Sequence, residues 1–216
     1  MYLETERLFI RELEESDVPS LLKIKYDGRV LKYDPEFIKR DAVEADALET
    51  IRCCIEKRDS GDFSKEILYA AVLRETGEMT GVITVSELGF LREIQMGWMF
   101  LAEVAGHGYA AEAARAVSDA LLEKNAWSYI AVVMDEDNPA SFRTAQNSGF
   151  RLFEKRVPYD YHYSRVNVED HGAVGQYFAE KQVQLGSAYY YFRKYSPRDT
   201  KPDRFYGDIP YTGRFA

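Results

Sequence analysis

Residues 95–113 read QMGWMFLAEVAGHGYAAEA, and the stretch Gly106-His107-Gly108-Tyr109-Ala110-Ala111 divides an apolar run from one of helical period. Two glycines one residue apart let the chain turn sharply and bring successive backbone N–H groups together. A helix beginning there adds its partial positive charge, so an anion such as a phosphate can rest on the turn without basic side chains. The turn lacks the GK[ST] ending of a P-loop and the third glycine of a dinucleotide-binding loop. Downstream, Ala110, Ala113, Ala114, Val117, Ala120 and Leu121 recur at helical spacing, with Glu112, Arg115, Asp119 and Glu123 on the opposite face. Small alanines on the buried stripe let such a helix lie close against a sheet. Residues 129–134 (YIAVVM) then read as a buried strand, and residues 93–100 (EIQMGWMF) as the strand before the turn, which together give a β-helix-β unit.

Working outward, residues 67–73 (ILYAAVL) and 79–86 (MTGVITVS) flank ETGE and form a β-hairpin. Gly97, inside the next strand, predicts a bulge or a close approach of another backbone. Residues 7–13 (RLFIREL) are compatible with a first strand. Ser16 and Asp17 offer caps for a short helix with Pro19 in its first turn and Val18, Leu21, Leu22 and Tyr26 on one face. Asp41 and Glu44 have capping-box spacing before a helical stripe of Val43, Ala47, Leu48, Ile51, Cys54 and Ile55 that runs to about Arg58. Asn138 and Pro139 open a helix that stops at Gly149, and strands follow at 150–155 and 188–195. Between them, segment 156–186 carries Tyr159, Tyr161, His162 and Tyr163 and a predicted helix over 168–184. A connection of that length is a substrate-side lid, a self-packed excursion or a contact in a homodimer. Residues 1–195 thus read as one domain, and 196–216 as an extended arm docked through Phe205, Tyr206, Tyr211 and Phe215.

With 216 residues, 46% hydrophobic and 30% charged, the chain is globular rather than disordered, coiled-coil or collagen-like. Lysine and arginine number 28 against 36 acidic residues, a formal net charge of −8, so neither nucleic acid nor an anionic membrane is an expected partner. Residues 1–6 (MYLETE) have neither the basic start nor the apolar stretch of a signal peptide, and no run approaches the roughly 18 apolar residues of a spanning helix. Cys53 and Cys54 are adjacent on a helix and read as core thiols in a reducing cytoplasm. His107, His162 and His171 have no ligand spacing, so no metal site is expected.

The order of elements, the string QMGWMFLAEVAGHGYAAEA followed by NPASFRTAQNSGF, and the opening LETERLFIRELEESDVPSLL resemble the GNAT superfamily of N-acetyltransferases, in particular its RimJ/RimL-like branch. The resemblance covers about residues 1–155 and the last strand. It implies an α/β (α+β) fold, a mixed, mostly antiparallel sheet of about seven strands flanked by helices, in which the fourth and fifth splay apart to admit acetyl-CoA as acyl donor. Carried over position by position, it implies cofactor contacts at Phe100, Leu101, Gly106, His107, Gly108, Tyr109, Ala110, Asn138 and Ser141. His107 stands where relatives often carry lysine or arginine, Glu103 replaces the usual glutamine or arginine, and Ala105 a frequent tryptophan. Asn138 also reads as a plain helix cap.

Acetyl transfer to an amine needs a base for the ammonium proton and a donor for the departing thiolate. The tyrosine that serves as acid in many members is Ala145 here, which leaves Ser141 as the hydroxyl implied by the resemblance. The fourth-strand position that is often glutamate is Gln95, so Glu93, two residues earlier on the same face, is the candidate base. The expected function is direct acetyl transfer to a small-molecule amine or a protein N-terminus. The alternatives are an acyl-CoA-binding module without turnover and a protein-interaction scaffold.

Overall fold

The run Ile67–Leu73 is buried on both faces of a sheet, which is why it is apolar throughout instead of alternating. Ile67, Tyr69 and Ala71 point into one hydrophobic layer, Leu68, Ala70 and Val72 into the other. The computed structural model describes residues 1–33, 44–60, 63, 66–88, 93–156 and 189–199. Its strands are β1 (Tyr2–Glu4), β2 (Leu8–Glu12), β3 (Ile67–Leu73), β4 (Met79–Leu88), β5 (Glu93–Phe100), β6 (Tyr129–Asp135), β7 (Arg151–Arg156) and β8 (Tyr189–Tyr195). The helices are α1 (Val18–Lys25), α2 (Gly28–Tyr33), α3 (Glu44–Ser60), α4 (Tyr109–Lys124) and α5 (Pro139–Asn147).

One eight-stranded sheet runs in the order β1-β2-β3-β4-β5-β6-β8-β7. Every neighbouring pair is antiparallel except β5 and β6. The mixed, mostly antiparallel GNAT-like architecture is as expected, with eight strands where about seven were. The additional one, β1, pairs Tyr2 with Arg11 and Glu4 with Phe9, and its three residues are too few to carry a period-2 signal. Helix α4 lays Ala113, Ala114 and Val117 against Ile83 and Met96 on one face. On the other, Leu21 and Ile24 of α1 and Ala47 and Ile51 of α3 cover Val82 and Met99. Each of the larger aliphatic side chains so buried contributes roughly 1.5–3 kcal/mol. Among the described residues no helix is long and apolar enough to cross a membrane.

Several local details differ from the sequence reading. Asp17 does not cap forward: its carboxylate accepts the Glu14 N–H at 2.7 Å and pairs with Arg11 at 2.6 Å. Tyr26 lies just past α1 and is 51% exposed, while Ile24 takes the buried place. Gly97 causes no bulge in the β4–β5 register; what approaches it is a side chain, since a Cβ there would meet the Thr84 hydroxyl at 2.8 Å. The expected hairpin turn is present, with Gly77 at φ 72°. Helix α5 ends as expected at Gly149, φ 89°, where Phe150 N–H returns to the Ala145 carbonyl at 3.0 Å. Asp41, the helix expected at 168–184, the aromatics of segment 156–186 and the aromatics of the arm lie outside the described residues.

Strands β5 and β6 meet at a single pair, Gln95 opposite Ala131, and separate beyond it. The closed end of this wedge holds a buried ionic cluster. Glu93 at the start of β5 accepts hydrogen bonds from the hydroxyls of Tyr129 on β6 and of Tyr191 on β8, the latter at 2.5 Å. Arg193 on β8 approaches the same carboxylate at 3.3 Å, with its guanidinium 3.7 Å from the Phe153 ring centroid and 4.4 Å from that of Tyr129. Burial, reinforced by the Glu93 charge, holds the Tyr191 hydroxyl well above the usual phenol range, so it keeps the proton it donates to Glu93 while accepting a bond from Arg193 Nη2 at 3.4 Å. Removing one partner of a buried pair strands the other charge. Glu93→Gln is therefore expected to destabilise the protein by about 3 kcal/mol, read as a lower urea midpoint at unchanged m-value.

Candidate active site

The wedge opens into a cleft of about 490 Å³ walled by the last residues of β5 and β6, the Gly106–Gly108 turn, the start of α5 and, from α2, Arg29, Val30 and Tyr33. Asp27 sets α2 at this mouth: one carboxylate oxygen accepts the Ala102 N–H at 2.7 Å and the other the Arg29 N–H at 2.9 Å. Beyond Gln95, β6 no longer reaches β5. Leu101 N–H donates to Thr80 of β4 at 3.0 Å, so the alternation of an extended chain aims the N–H groups of Phe100 and Trp98 at the gap.

Gly106 and Gly108 have φ 85° and 80°, a region costly for any other residue, and the first bond within α4 runs from Glu112 N–H to the Gly108 carbonyl at 3.0 Å. The amides before Glu112 thus have no helical acceptor, and no side chain caps the N-terminus at Gly108. A bound anion would complete them. The turn is held from outside by the β1–β2 connection. Arg7 donates from Nη1 to the His107 carbonyl at 2.8 Å and from Nε to Glu112 at 2.7 Å, and its guanidinium lies 4.7 Å from the Tyr109 ring centroid. Thr5 donates to the same Glu112 carboxylate at 2.6 Å. Burial works against ionising Glu112, yet the bonds from Thr5 and from the Arg7 backbone and side chain outweigh it and hold the carboxyl below its ordinary value.

Phe100, Leu101, Gly106, Gly108, Tyr109, Ala110, Asn138 and Ser141 all line the cleft. His107 is exposed outside it, with its ring stacked on Tyr109 at 5.7 Å and Nδ1 3.2 Å from the Val104 carbonyl. Asn138 is the N-cap of α5, accepting the Ser141 N–H at 3.1 Å. Ser141 accepts a bond from Trp98 Nε1 at 3.3 Å across the wedge, which leaves its own O–H to donate. Glu93 is not brought to these groups. It lies at the closed end, outside the cleft lining, engaged by Tyr129, Tyr191 and Arg193. Its parity with Gln95 was readable; its partners, far away in sequence, were not. The sequence reading missed Asp135, Arg29 and Tyr33, all on the cleft wall. For Asp135 a signal existed, an acidic residue ending an apolar strand three positions before a helix cap.

The profile of the acetyltransferase (GNAT) domain matches residues 7–151. The chain belongs to the GNAT acetyltransferase family. Acetyltransferases of this family use acetyl-CoA. A curated relative, the uncharacterized N-acetyltransferase YnaD of Bacillus subtilis (strain 168), is 29% identical over 162 residues, covering 73% of this chain and 89% of YnaD. Among solved structures, a GNAT-family acetyltransferase from Bacillus anthracis matches with TM-score 0.64 at 20% identity over 91% of this chain and 99% of that one. RimL, the ribosomal L7/L12 alpha-N-protein acetyltransferase in complex with coenzyme A, matches with TM-score 0.67 at 13% identity over 90% and 98%. These last two likenesses show the shared fold.

Two outcomes follow from this GNAT turn. Gly108→Val puts a β-branched residue at φ 80°, a strain of about 1–3 kcal/mol, and is expected to abolish CoA binding in calorimetry while the protein remains folded. Glu112→Gln tests the clasp. Because the folded-state value of Glu112 is depressed, its contribution is complete above the unfolded value of 4.5 and is lost as pH falls through the folded value. The stability gap between wild type and variant is therefore expected to narrow in unfolding curves measured from pH 6 down to pH 3.

Proposed function

We propose that this GNAT protein transfers the acetyl group of acetyl-CoA directly to a primary amine, that of a small molecule or of a protein N-terminus. The observation that carries the reading is the open wedge itself: strand amides that have lost their ladder partner face the same cleft as the uncapped two-glycine turn. A pyrophosphate on that turn and a pantetheine arm along β5 would use both sets of donors. The cleft residues suit the group, because positive-φ glycines leave the amides of Gly106 and Gly108 uncovered and, among the described residues, the one carboxylate lining the cleft is Asp135 at the end of β6 rather than a residue of the turn.

Within this reading, the N–H groups of Trp98 and Phe100 are placed to hold the carbonyl oxygen of the thioester as it gains charge. Ser141, with Trp98 occupying one of its lone pairs, directs its O–H to the departing sulfur. Trp98, Phe100 and Leu101 supply an apolar wall that excludes water from the thioester. Solved neighbours named as ribosomal-protein acetyltransferases, one of them for S5-alanine from Vibrio fischeri, make N-terminal peptides the first acceptors to try.

Thiol release measured across simple amines, aminoglycosides and ribosomal-protein N-terminal peptides tests the proposal. Turnover with at least one amine is expected. CoA binding without turnover on any of them would instead establish a binding module, and no CoA binding a scaffold. Ser141→Ala is expected to lower kcat by about 100-fold, the size of a general-acid contribution, with little change in CoA affinity.

A further inference from the structure

Asp135 ends β6 on the cleft wall, and among the described residues lining the cleft it is the only carboxylate; the other charged side chains there are Arg29 and Arg143. Alternation along β6 sends Ile130, Val132 and Met134 under α4 and leaves Ala131, Val133 and Asp135 on the opposite face. Asp135 therefore lies across the sheet from the helix whose N-terminus forms the glycine turn. The Gln95–Ala131 pair sets the parallel register, which brings Gly97 level with Val133 and Met99 level with Asp135 on the diverging strands. Gly97 lines the cleft on this face too and adds no side chain to it.

We propose that Asp135 receives the ammonium group of the acceptor and takes its first proton. This inference rests on the reading that the chain acetylates amines. The Asp135 carboxylate accepts one proton from the ammonium, freeing the nitrogen lone pair to form the C–N bond to the acetyl carbon as the C–S bond breaks. The sulfur leaves with the bonding pair and takes the second nitrogen proton by way of Ser141, while Asp135 returns the first to water. Ammonium and thioester thus become amide, thiol and one released proton. The surroundings suit a base. Burial, followed by the nearby Asp137 charge, raises the Asp135 carboxyl above its usual range, against a hydrogen bond from Tyr189 of β8 and the charge of Lys32 on α2. From the same side α2 also presents Arg29 and Tyr33, whose hydroxyl accepts from Lys32 at 2.8 Å and donates to the Asp137 carbonyl at 3.0 Å, and α5 presents Arg143.

The experiment compares wild type, Asp135→Asn and Asp135→Glu with an amine that the wild-type protein acetylates. Calorimetry with CoA should give affinities within about twofold of one another. In Asp135→Asn the kcat/KM for the amine should fall about 100-fold or more, and the loss of rate with falling pH that this carboxyl imposes should vanish from the profile. Asp135→Glu should recover part of both. Should Asp135→Asn not fold, Asp135→Ser is read in the same way. Wild-type amine kinetics and an unchanged pH profile in a folded Asn or Ser variant overturn this assignment and leave amine acetylation standing. A wild-type protein that binds CoA yet transfers to no amine overturns the acetylation reading, and this one with it.

Discussion

Only one pair of neighbouring strands in the sheet runs parallel, and the cleft exists because that pair is made at one position and then abandoned. A parallel pair requires a crossover. Here the crossover is α4, and its N-terminus arrives where β5 ends, at the mouth of the wedge. The divergence removes a ladder partner from the inner edge of β5 without burying that edge, so its backbone donors face a cavity instead of costing stability unpaired. A wedge of this kind needs its closed end fixed. Glu93, Tyr129, Tyr191 and Arg193 do so with charge-assisted bonds from three strands, which neither strand pairing nor apolar packing supplies at that point.

The electrostatics of the cleft are divided between its two faces. A chain with a net charge of −8 offers an anion not a basic patch but oriented amides, and it spends Arg7 on keeping them oriented. The only carboxylate on the described lining lies on the opposite face. Under the proposed function the turn takes the negative group of the acyl carrier, and the opposite face offers Asp135 to the acceptor beside Arg29 and Arg143.

What could be read from the sequence was whatever local periodicity or backbone chemistry encodes. The alanine stripe gave α4, the paired glycines gave the turn, and the doubly apolar run gave a central strand, because each signal lies within a few residues of itself. Strand β1 escaped for want of length. Glu93 was read correctly as sharing a face with Gln95, but its surroundings depend on Tyr191 and Arg193, 98 and 100 residues away, which no window of sequence brings together. Asp135 was overlooked for the converse reason: its environment is made by α2 and β8, while in sequence it begins an acidic run with the exposed Glu136 and Asp137.

The clasp between Arg7 and the turn spans 100 residues, as Arg7 to His107. Closing a loop of that length costs about 4 kcal/mol in chain entropy, more than one such bond returns by itself. Strands β2, β3, β4 and β5 lie side by side in that order, and it is their pairing that brings the start of the chain alongside α4. The most local motif in the sequence thus owes its geometry to contacts that span half the chain.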